Sequence, residues 1–164
     1  MNFSFKHYIE MIERLKELGF KFSQFSDYSI KKKVFLRHDI DIYSENVFNL
    51  ATIEQKSGVS SIYFFQVDST FYNILADEVV SSIIKINDMG HEIGLHINPH
   101  SAKTVEALRE KINREYNFFK DYLPLVKTVS FHKPPEFIYE DLEFDGFINV
   151  YGNKFFKDIR YLSD

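Results

Sequence analysis

The chain has 164 residues, of which 45% are apolar, including 18 Phe and 10 Tyr; this is enough to fill one core, so a single domain over residues 1–164 is expected. A formal charge of −4 and a pI near 5.9 supply no broad basic field for nucleic acid, although Lys31-Lys32-Lys33 forms a local patch. There is no cysteine, which removes disulfides, thiolate metal sites and cysteine nucleophiles and leaves any metal to His, Asp or Glu.

Residues 1–13 interleave Lys6, His7, Glu10 and Glu13 with apolar positions, unlike a signal peptide, and nowhere does an apolar run approach the length of a membrane span, so a cytoplasmic location is expected. Phe5, Tyr8, Ile9, Ile12, Leu15 and Leu18 fall at three- and four-residue spacing and stop at Gly19, which predicts a leading amphipathic helix over 3–18. Val34-Phe35-Leu36-Arg37-His38-Asp39 then turns from apolar to charged, as a buried parallel strand does on reaching a functional rim. The unit recurs. A helix over 45–56 closes at Gly58 before a strand over 61–67, and a helix over 77–88 closes at Gly90 before a strand over 91–96. A longer helix over 104–122 precedes Pro124 and a strand over 127–132, with weaker strand candidates at 147–151 and 158–162. Such alternation calls for parallel strands joined by right-handed crossovers, hence an α/β barrel or an open doubly wound sheet; periodicity does not choose between them.

The polar residues gather where the predicted strands end: Arg37, His38, Asp39 and Asp41, then His96 and His100, then His132. In parallel α/β folds that end is where sites are built. Asp39 and Asp41 share a face if strand geometry persists, with His38 and Ile40 on the other. Two carboxylates on one face repel unless a cation or a shared proton intervenes; alternatively Asp41, in competition with Ser44, caps the next helix. His96 and His100 lie four apart around Asn98-Pro99, a cap and first-turn pair, so one helical turn could bring both rings to one ion. An ion held by one of these carboxylates together with His96 and His100, with open positions, polarises a carbonyl and acidifies a bound water, and the other carboxylate is left to take the proton. These parts suit amide or ester hydrolysis.

Phe35-Leu36-Arg37-His38-Asp39-Ile40-Asp41, the Ile62-Tyr63-Phe64-Phe65 strand after Gly58, and Met89-Gly90-His91-Glu92-Ile93-Gly94-Leu95-His96-Ile97-Asn98-Pro99-His100 together resemble the polysaccharide deacetylases, relatives of the family 4 carbohydrate esterases. The ordered set covers residues 34–135. The resemblance implies a distorted α/β barrel of about seven strands, fewer than the eight of the common barrel, with zinc or a similar divalent ion at its mouth. It implies Asp39 as catalytic base, His96 and His100 as metal histidines and Asp41 as the metal carboxylate. The spaced Asp39-x-Asp41 departs from the commonest esterase motif of adjacent aspartates. It further implies an N-acetylated sugar or glycan as substrate, with O-deacetylation open to the same machinery.

His91 reads as a structural histidine. His132, in Ser130-Phe131-His132-Lys133-Pro134-Pro135, stands where the family often has an arginine that orients the base; it could orient Asp39, bind substrate or be a buried hydrogen-bonded histidine. Arg37 is a second orienting candidate or an ordinary strand-end ion pair. Tyr43, Phe71 and Tyr72 fall in loops on the site side, where they line a sugar pocket or pack in the core. The family's late histidine, its general acid, has no counterpart after His132, so either the acid is replaced or the barrel is C-terminally shortened, leaving a sheet edge for a second copy of the chain to cover. Two other readings stand beside deacetylation: a metal-retaining, catalytically impaired carbohydrate-binding member, and an aspartate-nucleophile phosphatase. The latter lacks the expected Gly-Thr after Asp39-Ile40-Asp41 and gives His96 and His100 no role.

Overall fold

The computed structural model describes residues 4–28, 32–139 and 142–160. Helix α1 (Phe5–Glu17) begins where the Ser4 hydroxyl accepts the His7 N–H and ends before Gly19. Two short strands, β1 (Lys21–Phe22) and β2 (Lys33–Val34), pair in parallel as a separate ribbon. The main sheet takes β3 (Arg37–Ile40), β4 (Ile62–Phe65), β5 (Glu92–Ile97), β6 (Leu125–Phe131) and β7 (Ile148–Asn149), all parallel and adjacent in chain order. Helices α2 (Glu45–Lys56), α3 (Asp77–Asp88) and α4 (Val105–Phe119) make the crossovers, and α5 (Asn153–Phe156) follows the last strand.

Gly58 and Gly90 close α2 and α3 at φ of +65° and +93°, where the reversal into the next strand needs the left-handed region that glycine enters without steric cost. The expected first strand is divided: Lys33–Val34 joins the small ribbon, while Arg37–Ile40 joins the main sheet. Residues 147–151 contribute only the two-residue β7, and residues 158–160 are not a strand; 161–162 lie outside the described residues.

Each strand is added on the same side of the one before it, so the order never reverses as it does in a doubly wound sheet. Among the described residues β3 pairs only with β4 and β7 only with β6: the sheet is a five-stranded arc, without the strand pairing that would close a barrel. Strand β4 is buried along its whole length. On one face Ile40, Tyr63, Phe65 and Ile93 pack against Val47 and Ala51 of α2 and Val79, Ile83 and Ile86 of α3. The second core joins Leu95, Ile97, Val129 and Phe131 to Leu108 and Ile112 of α4, and joins Ile62 and Phe64 to Phe25, Tyr151 and Phe155 from outside the sheet.

The arc is strongly curved. Asp39 on β3 and Ser130 on β6 are separated by three interstrand steps, roughly 14 Å in a flat sheet, yet Ser130 Oγ donates to Asp39 Oδ1 at 2.9 Å. Only a concave sheet lets these short side chains meet. A glycine helps form the concavity: a Cβ on Gly94 would lie 2.5 Å from Phe64 Cε1 and 2.8 Å from the Thr128 carbonyl oxygen.

Candidate metal centre

In-register parallel partners point the same way, so the pairs Asp39↔Phe64, Phe64↔Gly94 and His96↔Ser130, with strict alternation along each strand, put Arg37, Asp39, His96 and Ser130 on the concave face. His38 and Tyr63 go to the opposite face, under α2. The pleat thus separates the chemistry from a second, buried polar network.

Asp41 follows β3 on a bend whose backbone is held by two side chains of the β4–α3 loop. Ser69 Oγ donates to the Asp41 carbonyl at 3.3 Å, and Tyr72 OH donates to the Ile40 carbonyl at 2.9 Å while accepting the Gln66 N–H. His96 comes from β5. His132 follows β6 directly, its backbone N–H donating to the Ile97 carbonyl and so extending the ladder by one residue.

One ligand atom from each of Asp41, His96 and His132 lies within 4.8 Å of the other two, so this group could hold a metal ion. Asp41 Oδ1 stands 2.7 Å from His132 Nδ1 and 3.2 Å from His96 Nε2. Ligand atoms sharing one tetrahedral zinc at its usual bond lengths are roughly 3.4 Å apart. The two rings meet edge to face, their centroids 5.5 Å apart.

His96 gives the test of fit. Its side chain is almost wholly buried; Nδ1 is 2.7 Å from Ser130 Oγ, and Nε2 has no hydrogen-bond partner although Asp41 Oδ1 is close by. Burial pushes the imidazole below its ordinary pKa range, with the neighbouring Asp39 and Asp41 offsetting only part of this, so the neutral ring is favoured. A neutral imidazole whose free nitrogen faces a carboxylate fits a cation placed between the two. The Asp41 side chain is 49% exposed, which leaves the group open to water on one side.

Asp39 does not belong to that group but stands beside it. Its Oδ1 accepts from Ser130, and Arg37 Nη2 lies 3.4 Å from Oδ2. Arg37 is therefore where an orienting partner of Asp39 is expected. His132 is not: it faces Asp41, and Ser130 takes the second orienting position.

His100 differs most from expectation. The Asn98 side chain does accept the His100 N–H and Pro99 opens a turn, but that turn is a short 3-10 helix (Pro99–Ser101) on which His100 is exposed, outside the ligand group. The four-residue spacing would converge both rings only on one helix, and His96 is still on strand β5. The structure brings His132 to Asp41 and His96 instead. Ser44 is the first residue before α2 but makes no side-chain cap, and Asp41 lies too far from the helix start to serve as one.

On the other face, Glu54 of α2 is fully buried and receives hydrogen bonds from Tyr8, Ser61 and Tyr63, with His38 Nε2 at 2.7 Å. His91 accepts the Ser61 N–H at Nδ1 and donates from Nε2 to the Ala51 carbonyl, a structural position that fixes its tautomer. Of the loop aromatics, Tyr43 and Tyr72 pack on the core, whereas Phe71 is exposed. No helix among the described residues is long and apolar enough to cross a membrane. No protein-family model, curated protein or solved structure matches this chain.

Proposed function

We propose that the chain is a metal-dependent carbohydrate deacetylase, hydrolysing an N-acetyl group, and by the same chemistry an O-acetyl group, on a sugar or glycan. The observation that carries this reading is a second carboxylate, Asp39, held next to an open Asp/His/His group by a shared hydroxyl. The sugar and acetyl specificity come from the resemblance to polysaccharide deacetylases. The one-directional strand order, with Arg37 and Tyr151 meeting from its two ends, supports a barrel of that type.

Asp41, His96 and His132 would hold the ion; two imidazoles, one carboxylate and open positions favour zinc. The bound ion would polarise the acetyl carbonyl and lower the pKa of water at the site. The chain's own residues do the rest. Asp39 accepts the proton of the attacking water, held in place by Ser130 at Oδ1 and with the Arg37 guanidinium balancing its charge beside Oδ2. With Asp41 as the one carboxylate among the three ligands, a bound cation would not be fully neutralised and would retain its Lewis acidity.

The test is zinc content together with acetate release from a panel of N- and O-acetylated sugars. One zinc per chain and acetate release are expected, with Asp39→Asn retaining zinc and losing about 10²- to 10⁴-fold in turnover, the range for a lost general base. Zinc-loaded protein that binds the sugars and releases no acetate would replace this reading with the carbohydrate-binding one.

A further inference from the structure

Ser130 is absent from the chemistry that the chain's motifs suggest, yet it is fully buried and its hydroxyl touches two of the site's working groups. Its contacts come from different strands: Asp39 Oδ1 from β3 at 2.9 Å and His96 Nδ1 from β5 at 2.7 Å. A buried serine satisfied for stability alone could bond a nearby carbonyl on its own strand. This one instead sits in the concavity between a carboxylate and an imidazole.

Proton counting then fixes the direction of both bonds. Ser130 Oγ donates to Asp39 Oδ1, and a serine hydroxyl has a single proton with lone pairs to spare. The Ser130 proton therefore goes to Asp39, and Ser130 Oγ must accept from His96, which places the imidazole proton on Nδ1. Nε2 is left as a bare lone pair, and Nε2 is the atom that faces Asp41 without a hydrogen bond. If Nδ1 were unprotonated it would oppose a hydroxyl lone pair at 2.7 Å, and the Nε2 proton would be buried with no acceptor aligned to it.

We infer that Ser130 is the positioning residue of this centre: through one hydroxyl it sets the His96 tautomer that presents Nε2 to the metal group and ties that ring to the Asp39 carboxylate. The inference rests on the reading of Asp41, His96 and His132 as metal ligands, but its core, the tautomer, belongs to the metal-free protein. Metal-bound histidines elsewhere commonly have their second nitrogen held by a carboxylate or carbonyl. Here a serine relays that hold, so base and ligand are aligned by one group.

The experiment is nitrogen-15 NMR of histidine-labelled, metal-free protein, paired with zinc affinity by chelator competition, for the native chain, Ser130→Ala and Ser130→Thr. The native His96 is expected as the Nδ1–H tautomer. Ser130→Ala should shift the ring toward Nε2–H and weaken zinc by about 10- to 100-fold, the usual effect of losing such a partner. Ser130→Thr, which keeps the hydroxyl, should restore both. An Nε2–H tautomer in the native protein overturns the inference without any variant having to fold. So does a Ser130→Ala protein with unchanged tautomer and unchanged zinc affinity. Native protein with the Nδ1–H tautomer but no zinc binding would refute the metal reading and, with it, the role of Ser130 in presenting a ligand.

Discussion

Arg37, on the first strand of the main sheet, lays its guanidinium over the ring of Tyr151, just beyond the last strand, with 4.8 Å from Cζ to the ring centroid and Nη2 3.2 Å from the phenol oxygen. The two ends of the open arc are thus joined by side chains where a closed barrel would join them by a strand ladder. The aromatic pairs Phe25–Phe155 and Phe35–Phe155, at 4.9 and 5.8 Å, continue the same seam. Because Arg37 also stands beside Asp39, the seam is coupled to the carboxylate proposed as base. Tyr151→Ala should therefore cost about 3 kcal/mol of stability, as for other buried aromatic truncations, and lower turnover in the protein that remains folded. Tyr151→Phe keeps the ring and should cost only about 1 kcal/mol, the net worth of a hydrogen bond. Urea unfolding of both variants checks this, and equal losses would show that the ring contributes nothing beyond its hydroxyl.

The choice between His100 and His132 as the second metal imidazole is open to direct measurement. His132 Nδ1 lies at Asp41, whereas His100 is exposed on its turn. Asp41→Ala, His96→Ala and His132→Ala should each weaken zinc by more than the ~10- to 100-fold that loss of a supporting partner causes. His100→Ala should bind zinc as the native chain does. Calorimetric zinc titrations of the four variants decide the matter; loss of binding in His100→Ala with retention in His132→Ala would restore the assignment expected from spacing.

Why the spacing does not point to His132 is physical. The helices α2 and α3 are legible to the residue because apolar periodicity and terminal glycines act within a few positions of one another. The face shared by Asp39 and Asp41, and the consignment of His38 to the other, follow equally from local pleating. The ligand group depends instead on contacts between residues 91 apart in the chain, Asp41 with His132 and Asp39 with Ser130. Those contacts exist only because the sheet curves, and neither the close approach of Gly94 to Phe64 nor the register irregularity between β5 and β6 has a period to read. Strands β1 and β2, of two residues each, are too short to show alternation. Glu54 did leave a signal, since it falls on the buried stripe of Val47 and Ala51 on α2, where a carboxylate without partners could not stay.

Gly94 should tolerate no side chain. A methyl there would press on the Phe64 ring from one side and on the Thr128 carbonyl from another, and the second is backbone that cannot rotate away. Gly94→Ala should lose about 1–3 kcal/mol, the usual cost of overpacking a filled core, and should weaken zinc as well, because His96 is two residues further along the same face. Gly94→Ala combined with Phe64→Leu relieves only the ring contact and should recover part of the stability. Full recovery in the double variant would mean that the Thr128 contact is not limiting.

Glu54 makes stability depend on acid in a predictable direction. Burial raises its pKa, but the hydrogen bonds and charge of His38 and the hydroxyls of Tyr8 and Tyr63 outweigh burial and lower it from 4.5 to about 2. A carboxyl whose pKa is depressed by folding stabilises the native state in full above its unfolded pKa, and the contribution fades as pH falls through the folded one. For Glu54 that window runs from about 4.5 down to about 2, and the lowering corresponds to on the order of 3 kcal/mol. Glu54→Gln removes the titration and turns an amide N–H toward a ring of donors, so at neutral pH it should be less stable than the native chain by roughly 1–3 kcal/mol, the cost of leaving buried polar groups unsatisfied. Every other acid-sensitive carboxylate is common to both proteins and cancels in the comparison. The stability gap between native and Glu54→Gln should therefore narrow as pH falls through the window, and a gap that stayed constant would mean that Glu54 does not titrate below its unfolded value.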